Sequence, residues 1–154
     1  MPSRTPTLRE PEQFVHALLG ARDMAAAADA AIRHLKSAHG CSRVRLAWNG
    51  SADRPAADWL CHPATELDEE GRQLCAAALA AKAGIEVQQG GESAQLLASD
   101  AGTWAVLLWH RPDKPKLEAD GTAWQQAMDC LRLRCRSMLD SERLKLDVER
   151  LAAA

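Results

Sequence analysis

The chain has 154 residues and a formal charge of -2 from 19 basic and 21 acidic side chains. That is enough for one domain around a single core, without the one-signed field that nucleic acid or anionic lipid requires. No apolar run reaches the length of a membrane span and Met1-Pro2-Ser3-Arg4-Thr5-Pro6 lacks the apolar stretch of a secretory signal, so the cytoplasm is the expected compartment, with no membrane partner.

Residues 1–10 hold two prolines and two threonines without apolar periodicity and are expected to form a disordered tail. Pro11 suits the first turn of a short helix, where its missing N–H has no partner to lose, and Phe14, Ala17 and Leu18 follow at helical spacing toward Gly20. Asp23 is placed to cap a second helix with the stripe Met24, Ala27, Ala28, Ala31, Ile32 and Leu35, and Gly40 to end it in the left-handed conformation. The period then changes. Residues 43–48, Arg-Val-Arg-Leu-Ala-Trp, alternate as a strand with one buried face, and Asn49-Gly50 signals a turn. A second strand is predicted over residues 57–61, ended by His62-Pro63, and Asp68 caps a third helix with Leu74, Cys75, Ala78 and Leu79 on its buried side and Gly84 as its stop.

Three extended segments are predicted between residues 85 and 111, over 85–87, 95–98 and 103–109. The last, Thr-Trp-Ala-Val-Leu-Leu-Trp, is apolar on both faces and therefore a central strand covered from both sides. Thr122 and Gln125 form a capping box for an exit helix that meets no proline or glycine through Ala154. Trp124, Met128, Leu131, Cys135 and Met138 recur at alternating spacings of four and three, the pattern of a coiled-coil seam, and Leu144, Val148 and Leu151 resume it on a displaced register. The expected division is a tail over 1–10, a domain over 11–140 and a helical linker over 141–154 leading to an output domain.

Residues 21–35 followed by His39-Gly40-Cys41-Ser42-Arg43-Val44-Arg45-Leu46 resemble the opening of the GAF family, and residues 103–109 are similar to that family's late central strand. The resemblance implies an α+β fold with a central antiparallel sheet of five or six strands, helices on both faces and a long C-terminal helix. It further implies a regulatory, non-catalytic role that needs no cofactor. The expected function is a homodimer made through the terminal helices, by Phe14, Leu18, Trp124, Met128, Leu131, Cys135 and Met138, relaying a signal to an output domain such as a diguanylate cyclase or a kinase. The alternative is a small-molecule sensor with a pocket between the sheet and the middle helix, lined by Trp59, Leu79 and Trp109.

Other chemistry finds little support. Bilin-binding members of that family carry a Cys-His pair, but Cys61-His62 ends the second strand, away from the position such a pair takes. The five histidines offer no spaced pair of haem ligands, and no cyclic-nucleotide motif of the family is present. The cysteines at 41, 61, 75, 130 and 135 contain no C-x-x-C pair, which argues against a disulfide framework or a zinc site and leaves a methionine sulfoxide reductase as the weakest reading. Arg132, Arg134 and Arg136 are expected on the solvated side of the exit helix or at the rim of a partner contact.

Overall fold

The computed structural model describes residues 10–49, 59–63, 67–82, 84–100, 103–110 and 122–153. Among these the chain forms α1 (Glu10–Gly20), α2 (Met24–His39), β1 (Arg43–Asn49), β2 (Trp59–His62), α3 (Glu69–Ala80), β3 (Glu86–Gln89), β4 (Glu92–Asp100), β5 (Thr103–His110) and α4 (Thr122–Ala153). The fold is α+β, and the five strands make one antiparallel sheet in the order β2-β1-β5-β4-β3. The expected tail lies almost wholly outside the described residues.

Local chemistry accounts for most of these bounds. The Asp23 carboxylate accepts a hydrogen bond from the Ala26 amide at 2.8 Å and so starts α2, which ends at Gly40 with φ 70 and the Gly40 amide donating to the Leu35 carbonyl. Asp68 likewise accepts from the Gly71 amide at 2.7 Å. α3 stops at Ala80, well before the glycine expected to end it, since Gly84 donates instead to the Leu96 carbonyl across the sheet edge. β2 covers Trp59–His62, and residues 57 and 58, where it was expected to begin, lie outside the described residues. β3 and β4 form a hairpin about Gly90 and Gly91, whose φ values of 61 and 82 fit the two positive-φ positions of a type I′ turn.

β5 is central, as its doubly apolar sequence requires. Its Ala105, Leu107 and Trp109 enter a core shared with α1, α2 and α4, while Trp104, Val106 and Leu108 enter a second core under α3. β1 sorts in the same way, with Val44 and Leu46 toward the three helices and Ala47 toward α3. A bulge between Leu96 and Ala98 shifts the alternation of β4, so that Leu96 faces α3 whereas Leu97 and Ala98 face the three-helix side. At the far end of β1, the Asn49 side chain accepts from the Trp104 amide at 2.9 Å and continues the ladder where backbone pairing stops.

α1 and α4 are fastened by one arginine. Arg134 donates from Nε to the Leu18 carbonyl at 2.9 Å and from a terminal nitrogen to the Ala21 carbonyl at 2.7 Å. It thus places a cation on the carbonyls that the end of α1 leaves without helical partners. Arg134 thus departs from the solvated basic face expected of Arg132, Arg134 and Arg136, whereas Arg136 lies exposed as expected. Replacing Arg134 by Met, which keeps much of the apolar stem, should lower the unfolding free energy by about 2 kcal/mol. A urea melt checks this.

Candidate functional site

The pocket expected from the sequence does not assemble. Trp109 is fully buried on the three-helix face, Leu79 packs into the core under α3, and the sheet stands between them. Trp109 falls on an odd position of β5, and period-two alternation sends it away from α3. The side chain of Trp59, the third expected lining residue, lies outside the described residues.

The expected dimer seam is also occupied. Phe14, Leu18, Met128, Leu131, Cys135 and Met138 are buried in this chain's own core, and Trp124 packs against that core partly buried. Their spacing is real, but it records α4 lying on the sheet and on α1. A run of rings ties the layer together: Phe14 stacks on His34 at 4.4 Å, His39 meets His34 at 5.3 Å and Trp124 at 5.2 Å, and Trp124 meets Trp109 at 5.2 Å. Both histidines are buried. The sequence reading missed them, although positions 31, 34, 35 and 38 continue the apolar stripe of α2 at helical spacing.

Under α3 the structure holds a charged cluster that pattern reading did not find. Arg45, with its side chain only 7% exposed, donates to the carboxylates of Glu92 and Asp68, and Arg43 reaches both from outside. Burial alone would lower the pKa of Arg45; the hydrogen bond and charge of Glu92, then those of Asp68, reverse this and raise it. Gly71 permits the arrangement, because a Cβ there would lie 2.7 Å from the Asp68 carboxylate and 3.3 Å from Arg45. Two cations facing two carboxylates make a neutral network already engaged with itself, which suits a strut between β1, β4 and α3. The signal available in the sequence was a charge at an inward strand position, Arg45 beside Ala47.

The buried thiols are poorly placed for redox catalysis. Cys41, Cys61, Cys75 and Cys135 are buried, and burial pushes Cys75 and Cys135 up to about 12, opposite to the direction a nucleophilic thiolate needs. Cys61 and His62 project to opposite sides of β2, the first into the core under α3 and the second to Asp29 of α2, with 2.9 Å between His62 Nε2 and the carboxylate. Among the described residues no group of three or more His, Cys, Asp or Glu side chains could hold a metal ion, and no helix is long and apolar enough to cross a membrane.

What remains open is the outer side of α4. Leu133, Leu144, Val148 and Leu151 are 57% to 77% exposed. At 100° per residue they fall, with Ser137, within about 60° of arc, and that stripe lies roughly 150° around the helix from the buried seam. A groove on this side is lined by Leu133, Arg136, Ser137, Asp140, Ser141 and Leu144. A second cleft, of about 270 Å³, lies between α1, α2 and α4 beside Phe14, His34 and Cys130; it is smaller than most ligand pockets.

The chain matches no protein-family model, no curated protein and no solved structure. The physical features of its own surface therefore carry the functional argument, and the exposed stripe of α4 is the strongest of them.

The charged cluster has a pH signature. Asp68 is held below its ordinary carboxylate value first by the Gly71 amide and then by Arg45 and Arg43, against the opposing effect of burial. A depressed folded-state pKa contributes stability that is present above the unfolded value of 3.8 and is lost as pH falls through the folded value. Asp68→Asn keeps a capping side chain and removes the charge, so its urea midpoint should fall less steeply than the parent's between pH 5 and pH 3, a range set about the ordinary carboxylate pKa of ~4.

Proposed function

We propose that this chain is a GAF-like regulatory domain whose globular body anchors a long helix and whose free helical stripe pairs with a second copy, passing changes in helix angle or register to an output domain of the same polypeptide. One observation carries the reading. α4 is a single helix of 32 residues, and its first half supplies Ala127, Met128, Leu131, Cys135, Met138 and Leu139 to the core, while Leu144, Val148 and Leu151 beyond them stay exposed.

The helix rises about 48 Å in all, of which roughly 20 Å follows the last buried residue. A rigid rod held at one end transmits orientation to the other. The antiparallel sheet, with α1, α2 and α4 on one face and α3 on the other, agrees with the layout that the family resemblance implies. Such a relay requires two helix packings separated by only a few kcal/mol. The change from the buried seam to the exposed stripe, between Leu139 and Leu144, is where they would interconvert.

Sedimentation of the whole chain should show a concentration-dependent dimer. Val148→Glu should yield monomer with the thermal midpoint that the wild-type chain shows when diluted to monomer, because the side chain is outside the core. Leu131→Ala should do the reverse, costing about 3 kcal/mol of stability through a cavity while leaving the dimer intact. A wild-type chain that stays monomeric at every concentration reached would end the proposal, and so would a Val148→Glu dimer of unchanged strength.

A further inference from the structure

Resting on that reading, we infer that the stripe pairs with a second copy of this chain as a parallel, in-register, two-stranded coiled coil over residues 137–151, locked by contacts between Asp140 and Lys145 of the partner subunit. The spacing of the exposed residues assigns the register. Leu144 and Leu151 occupy d positions and Val148 the a position between them, which makes Ser137 a d residue and Ser141 an a residue. A β-branched side chain at a with leucine at d favours two parallel strands over three or four. The serines lie in the open groove between Leu133 and Leu144, where small side chains allow a second helix to come close.

Charge decides the direction. In the same register Asp140 and Asp147 lie at g, on one flank of the stripe, and Lys145 lies at e, on the other; all three are exposed. A parallel pair sets each g residue against the e residue five positions later in the partner, so Asp140 meets the partner subunit's Lys145 twice per dimer. An antiparallel pair sets g against g and brings the acidic flanks together. The occupant is therefore a second copy of this chain in the same direction, and the acidic flank is what excludes the reversed one.

Two measurements test this separately from dimerisation itself. The first is oxidation of full-length Leu151→Cys chains carrying Cys130→Ser, the other cysteines being buried. A parallel in-register pair brings the two new thiols together and gives a covalent dimer on a non-reducing gel, whereas Glu149→Cys on the outer side gives none. If Leu151→Cys fails to cross-link with itself but cross-links with Ser141→Cys chains, the d-against-a contact of a reversed partner, the pair is antiparallel; the inference falls while the dimeric reading stands. A chain that remains monomeric in sedimentation defeats both.

The second measurement is charge reversal. Asp140→Lys alone and Lys145→Asp alone should each weaken the dimer roughly tenfold, through two attractions turned into repulsions, and the double variant should recover most of that loss. Equal weakening in the double variant overturns the pairing.

Discussion

The position of β5 constrains everything else. It is apolar on both faces and sits between β1 and β4 in the middle of the sheet, so neither face can be left to water. Burying its side chains, at about 25 cal/mol for each Å² of apolar surface removed from water, requires helices on both sides. The alternation of side chains then divides the molecule into two cores with no further choice: one residue of a strand belongs to the three-helix side and the next belongs to α3. Among the described residues the bulge in β4 is the one place where that division is reset, and it delivers Leu97 and Ala98 to the larger core.

The two faces are held by different physics. On the three-helix side the contacts are apolar side chains and a run of aromatic rings that passes from α1 through α2 and α4 to β5. Arg134 adds a charge-assisted tie at the end of α1, to the Leu18 carbonyl, which also accepts from the Ala21 amide, and to the Ala21 carbonyl just beyond the helix. On the other side a smaller apolar core is bordered by the Arg45, Asp68 and Glu92 cluster, where the capping residue of α3 doubles as an ion-pair partner. Position 68 thus links helix initiation to the attachment of that helix. Removing either carboxylate leaves Arg45 under-paired in a site that already gives its Nε no hydrogen-bond partner among the described residues.

This asymmetry bears on function. The proximal half of α4 cannot rotate without disturbing the ring contacts and the tie to α1, so the body grips the helix firmly. Its distal half makes no such commitment, and its apolar stripe is rotated well away from the gripped seam. A movement of the helix end is therefore coupled to the packing of the whole three-helix face, which is the mechanical basis for the proposed relay. In the proposed relay the stripe and its flanking charges select the partner, and the body sets the angle at which that partner is met.

The helices, the caps at Asp23, Gly40 and Asp68 and the central strand were legible from the sequence, because each depends on local chemistry or on a period that a few neighbouring residues establish. Asp23, Gly40 and Asp68 act within five residues of themselves, and the doubly apolar run of β5 needs no distant partner to be recognised. The Gly90-Gly91 turn and the inward His34 carried readable signals that the pattern reading passed over. Tertiary structure alone decided which partner covers each apolar face. The spacing from Trp124 to Met138 is the same whether a helix lies on its own sheet or on a second copy, since both geometries ask for one stripe every three or four residues. Only the fold shows that this seam is spent inside the chain and that Leu144, Val148 and Leu151 are the residues left over. Likewise Trp109 and Leu79 share an apolar character that says nothing of sides; the sheet that separates them is built from strands distant in sequence, and no local pattern encodes it.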